Sequence, residues 1–281
     1  MRINHLITTI LLASSLTIAI GSTATAQVTV KPLVIGESVE LVSKTMQETR
    51  RINVYLPDGY RQDQSKAYPV IYMPDGGVAE DFLHIAGLMQ VSIANGTMRP
   101  FILVGIENTV RRRDLTGPSN SELDKKAIPN LGGAESYRRF LTKELIPEIE
   151  QRYRTTQERA LVGESLAGLF TLETLFQTPD MFQTYIAIDP SLWWNDEHLT
   201  VQFAKKLQVQ PQLSKNLYFA SSGQRGMESV IQNFAQMLQT QKPVGLNWTY
   251  EHFAKETHAT IYHPAALIAF RQLFAPEPKN K

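Results

Sequence analysis

The chain has 281 residues, of which 43% are hydrophobic and 20% charged, with a formal net charge of +1 and no cysteine. That length fits one large α/β domain or two small ones, and the apolar content is ample for a buried core. The near-neutral charge gives no electrostatic case for nucleic acid or an anionic membrane as main partner, and the missing cysteines exclude disulfides, a thiol nucleophile and thiolate metal sites.

The first expected element is a leader. Arg2 supplies a short positive region, Leu6 to Ile20 an apolar core, and Ala24 and Ala26 stand at A-x-A spacing. This predicts a secretory signal peptide over 1–26, cleaved before Gln27, and a mature domain over 27–281. The apolar run is short for a membrane anchor and no second hydrophobic span follows, so a periplasmic or secreted protein without stable membrane insertion is expected.

"RINVYLPDGY" (51–60) alternates and then breaks at Pro57-Asp58-Gly59, as a strand ending in a turn does. "YPVIYMPDGG" (68–77) and "FILVGIEN" (101–108) carry continuous apolar runs, which suit strands buried on both faces. The stretch from Arg111 to Gly133 lacks periodicity, and loops of that length in compact domains are usually functional. Glu135 to Tyr153 has helical spacing in Phe140, Leu141, Leu145, Ile146 and Ile149. "RALVG" (159–163) reads as a strand and 166–176 as a helix. Strands follow at 184–191, 216–223 and 246–253, with helices at about 228–238 and 264–274. Short apolar strands alternating with helices predict an α/β fold: a mostly parallel central sheet with helices on both faces. There is no internal repeat, low-complexity linker or domain boundary.

"LVGESLAGLF" (161–170) joins a strand to a helix and nearly spells G-x-S-x-G. A serine hydroxyl needs a base to take its proton, and the sharp turn that exposes it needs small residues two before and two after. Gly163 meets the first requirement and Ala167 the second with one extra methyl, so Ser165 is the candidate nucleophile. The base should lie in a late loop. His84 precedes Ser165, His198 comes too early, His252 sits within the last strand, and His263 adjoins Pro264 at a helix entry. His258, in "KETHATIYH", stands in the right loop. The acid is expected after the strand ending "NLYFASS", where Glu228 is the only carboxylate. Asp196, Glu251, Glu256 or a Ser–His dyad remain open there, and helix-start capping is the ordinary role of Glu228. The backbone N–H of Leu166 and that of Gly76 or Gly77 are candidates for an oxyanion hole. Trp193 and Trp194, after "DPSL", could line a pocket, with core packing an equal alternative. Arg113, within Arg111-Arg112-Arg113, could hold an anionic substrate, although an Arg113–Asp114 contact is the plainer reading. No metal-ligand spacing or phosphate-binding loop is present, so no cofactor or metal is expected.

Four segments, "YPVIYMPDGG", "GIENTVRRRDLTGPS", "RALVGESLAGLFTLETLFQTPDMFQTYIAIDPSLWW" and "YEHFAKETHAT", resemble the putative esterase family of α/β-hydrolases. That family includes enterochelin and salmochelin esterases, S-formylglutathione hydrolase and mycolyltransferases. The resemblance implies an α/β-hydrolase fold, a nucleophile at Ser165 and a base at His258. The family's elbow is close to G-H-S-L-G-G, and this chain departs from it at Glu164 and Ala167. The expected function is an exported serine esterase acting on a small-molecule ester, siderophore-type or short acyl, through an acyl-enzyme. The rivals are an acyltransferase using the same site and a non-catalytic binding protein on a hydrolase fold. The oligomeric state is not legible.

Overall fold

The computed structural model describes residues 28–209 and 212–277. The expected signal peptide, 1–26, lies outside the described residues. Residues 28–34 are exposed and without regular secondary structure, and the chain from Ile35 onward forms one compact unit.

Its centre is an eight-stranded sheet. The strands are β1 (Glu37–Ser43), β2 (Glu48–Tyr55), β3 (Tyr68–Pro74), β4 (Ile102–Ile106), β5 (Thr155–Glu164), β6 (Thr184–Ile188), β7 (Gln212–Ser222) and β8 (Val244–Phe253). Their spatial order is β1-β2-β4-β3-β5-β6-β7-β8. The pairs β1–β2 and β2–β4 are antiparallel and all others parallel. Every residue of β3, β4 and β6 is buried, which explains their unbroken apolar sequences.

Successive side chains of a strand point to opposite faces. Val70 and Tyr72 of β3 therefore join one core, and Ile71 and Met73 the other. The second core is closed by α1 (Phe82–Ala94) and α9 (Tyr262–Leu273), through Phe82, Ile85, Met89 and Phe270. The first is closed by α4 (Ala134–Phe140), α6 (Leu166–Gln177), α7 (Trp194–Val209) and α8 (Met227–Gln241), through Phe140, Leu169, Phe203 and Phe234.

Some elements differ from the sequence reading. The helix expected over Glu135 to Tyr153 is α4, a π-helical turn at Leu141–Leu145, and α5 (Ile146–Arg152). Pro147 has no N–H to donate back to the preceding turn, and a wider turn absorbs the missing bond. Arg111 to Gly133 contains two short helices, α2 (Arg111–Leu115) and α3 (Glu122–Ala127). A buried ion pair anchors the segment: Arg50 Nη2 lies 2.5 Å from Asp114 Oδ2, and Arg50 also reaches Glu48 at 2.6 Å. Among the described residues no helix is long and apolar enough to cross a membrane.

Candidate active site

Ser165 stands between the end of β5 and the start of α6, with φ 61° and ψ −121°. That conformation is strained for a residue with a Cβ and persists only when its surroundings enforce it. The serine N–H donates to Ile188 O at 3.0 Å, and its carbonyl accepts from Ser191 N at 3.0 Å and Leu169 N at 2.9 Å. Gly163 makes the crossing feasible, because a Cβ there would lie 2.5 Å from the Ala167 carbonyl carbon and 2.7 Å from the Ala167 methyl. The extra methyl of Ala167 fits because Gly163, opposite it, has none.

His258 lies in the loop between β8 and α9, its backbone N–H bonded to Gln224 Oε1 at 3.1 Å. Its Nε2 is 3.0 Å from Ser165 Oγ, and its Nδ1 is 2.7 Å from Asp189 Oδ2. Asp189 follows β6 with φ 43° and is completely buried. It also accepts from Ser222 N and Ser222 Oγ, both at 2.8 Å, so the end of β7 fixes its orientation. One continuous hydrogen-bonded chain therefore runs Ser165–His258–Asp189. The bond to Asp189 is the main influence holding His258 above the ordinary imidazole pKa, against the opposing effect of burial.

Glu164 adds a second carboxylate, with Oε1 3.4 Å from His258 Nδ1. Burial pushes its carboxyl up to about 8, while His258 and Arg111 pull it down and Asp75 and Asp81 push it up. Arg111 is itself held by Asp75 through two bonds, at 2.6 and 2.7 Å.

Other expected site residues lie elsewhere or are otherwise engaged. Glu228 is not in the hydrogen-bonded chain. It occupies the first turn of α8, accepts from Gln232 at 2.8 Å and lies 3.5 Å from His252. None of the weighed alternatives, Asp196, Glu251 or Glu256, bonds to His258, because Asp189 holds its Nδ1. Sequence reasoning did not single out Asp189 as the carboxylate beside His258, because it placed Asp189 inside a strand and sought that partner one strand later. The signal was an aspartate before Pro190 at the carboxyl end of a parallel strand, beside a strand ending in Ser221-Ser222.

Gly76 does not offer a free N–H: it donates to Ile106 O at 3.0 Å. Gly77 N donates to Glu80 Oε2 at 2.7 Å. Leu166 opens α6, where a first-turn N–H has no intrahelical partner. Arg113 is held by Asp114 at 2.6 Å, the plainer of the two sequence readings, and by Glu48 at 2.8 Å, so its guanidinium is engaged within the chain. Trp193 is exposed on one side, and Trp194 is buried against it.

A mostly parallel sheet with a strained serine turn at the centre of its carboxyl edge defines the α/β-hydrolase fold. Within that fold, residues 43–260 match the family described as putative esterase, and the chain belongs to it. The chain is 34% identical over 177 residues to ferri-bacillibactin esterase BesA of Bacillus subtilis, covering 57% of this chain and 60% of that protein. The chain thus spans less than two thirds of that curated relative's length. A solved IroE-like serine hydrolase from Shewanella oneidensis superposes with a TM-score of 0.78 at 32% identity, over 85% of this chain and 80% of that one. Siderophore hydrolase EstB from Aspergillus nidulans shares the fold, with a TM-score of 0.73 at 22% identity over 90% and 98% of the two chains.

Proposed function

We propose that the chain is an exported serine esterase that cleaves carboxylic esters through an acyl-enzyme. The observation that carries this reading is the Ser165–His258–Asp189 chain, with contacts of 3.0 and 2.7 Å. His258 Nε2 takes the proton of Ser165 Oγ as the oxygen attacks the ester carbonyl. Asp189 holds the Nδ1–H tautomer and stabilises the imidazolium that forms. The Leu166 N–H supports the developing oxyanion, joined by Gly77 N–H when Glu80 yields it. His258 returns the proton to the departing alcohol. Water, deprotonated by the same base, then releases the acid and regenerates Ser165.

The relatives' names point to siderophore esters as the substrate class for this chain, with short acyl esters equally compatible with the machinery. Export rests on the sequence of residues 1–26. An alkyl fluorophosphonate probe tests the chemistry: labelling of Ser165, lost when His258 is replaced by Ala, is expected, and an unlabelled folded protein contradicts the proposal. A secreted form beginning at Gln27 is the expected outcome for export, and retention of residues 1–26 contradicts it.

A further inference from the structure

A cavity of about 390 Å³ lies beside α6, and nothing in the reaction described above uses it. Its walls include Arg138 of α4, Glu173 and Phe176 of α6, Trp194 and His198 of α7, and Asn120 of the loop between α2 and α3. Arg138 and Trp194 are 9% and 3% exposed. Arg138 Nη1 and Trp194 Nε1 are both buried, and neither finds a hydrogen-bond acceptor among the described residues. A buried donor without an acceptor costs free energy, and two on the walls of one cavity can be met by an oxygen atom from outside the chain.

Glu173 completes the set. Its carboxylate stands 3.5 Å from Arg138 Nη1, a long ionic contact. Burial pushes its carboxyl up to about 7, with Arg138 opposing. An anion entering the cavity meets this carboxylate and a cation meets the Arg138 guanidinium, so an uncharged ligand is favoured over either. A hydroxyl group suits all three residues: it accepts from the guanidinium or the indole and donates to the carboxylate. Phe176 and Trp194 supply the flat apolar wall on which a ring packs.

The rim is fixed. Asn195, Asp196 and Glu197 all have positive φ, and the turn is held by Asn195 N to Asp124 at 2.8 Å and by Asn120 N to Asn195 Oδ1 at 2.8 Å. The cavity shares α6 with the nucleophile, which stands just before that helix. Glu173 is eight residues beyond Ser165 on α6, about 12 Å of helix rise, and helical side chains lean back toward the N-terminus. Trp194 follows Ser191, whose Oγ is 3.5 Å from Ser165 Oγ.

We propose that this cavity binds an uncharged hydroxylated ring of the ester substrate, through Arg138, Glu173 and Trp194. The proposal rests on the esterase reading for its substrate, but the binding itself needs no turnover. The ring could come from a phenolic acid or a sugar, which share the hydroxyl chemistry.

Isothermal titration of Ser165→Ala protein separates these cases, with catechol, methyl β-glucoside and 1,2-dimethoxybenzene as probes. Catechol or the glucoside should bind at least about tenfold more tightly than the dimethoxy compound, which cannot donate to Glu173. Whichever of the two binds identifies the source of the ring. Asn120→Trp and His198→Trp, at exposed rim positions, should each weaken that binding at least about tenfold in protein whose circular dichroism is unchanged. Equal affinity for the dimethoxy compound, binding that survives both rim substitutions, or no binding of either hydroxylated probe overturns the proposal. Hydrolysis without probe binding overturns this site alone, whereas probe binding in a protein that hydrolyses no ester overturns the esterase reading alone.

Discussion

Asp189 Oδ2 lies 2.7 Å from His258 Nδ1, while the side chain of Asp189 is shut off from solvent and pinned by two bonds from Ser222. The carboxylate therefore has a fixed orientation, and the imidazole has one preferred tautomer. Asp189→Asn should keep the fold and lower kcat by about 10,000-fold, because the carboxamide can favour the wrong tautomer. Glu228→Gln should leave kcat within about twofold, because Glu228 contacts His252 and its own helix. Hydrolysis rates of the two purified variants check this pair of outcomes, and a reversed ranking contradicts the assignment.

The pH profile should carry the signature of two carboxylates at one imidazole. His258 must be neutral to take a proton, and its pKa is raised above the ordinary 6.5, first by Asp189. Activity should therefore fall as pH drops through a value above 6.5. Glu164 contributes to that rise, so Glu164→Gln should move the acid limb to lower pH. His258 and Glu164 titrate as a coupled pair. The wild type should then show a further inflection near 8, the value to which burial lifts Glu164, and the variant should lack it. A kcat/KM profile from acid to alkaline pH measures both effects.

Glu164 also predicts how stability depends on pH. Its folded pKa is raised from 4.5 to about 8, so the folded state holds the proton more tightly than the unfolded state. Its contribution therefore makes stability fall as pH rises through that window. Glu164→Gln should flatten the decline in the thermal unfolding midpoint over the same range. An identical slope in both proteins would mean that the carboxyl is not buried in solution.

Asp114 tests the brace behind the 111–133 segment. The Arg50 side chain is 1% exposed, and its guanidinium pairs with Asp114 at 2.5 Å. Asp114→Ala leaves a buried charge with reduced compensation and should cost about 3–5 kcal/mol of folding stability. Chemical denaturation measures it, and a loss under about 1 kcal/mol would show the pair to be dispensable.

Much of this site was legible because it depends on local chemistry. Gly163, Ser165 and Ala167 advertise a tight strand-to-helix crossing within five residues, and His258 stands in the one late loop that offers a base. β3 and β4 were legible because strands covered on both faces become continuously apolar. Asp189 was not, since its placement against His258 depends on β7 lying beside β6 and presenting Ser222, a relation made by sheet order. The contact of Arg113 with its neighbour Asp114 was legible, but that with Glu48, distant in sequence, was not. α7 escaped notice because it begins in a left-handed turn at Asn195–Glu197 that no helical period describes.

The most direct measurement is hydrolysis of p-nitrophenyl acetate by wild-type and Ser165→Ala protein, with the fold of each verified by circular dichroism. The expected result is turnover by the wild type and a loss of about 10,000-fold or more in the variant. Wild-type rates in the folded Ser165→Ala protein, or no turnover by either, would contradict Ser165 as the nucleophile of an esterase.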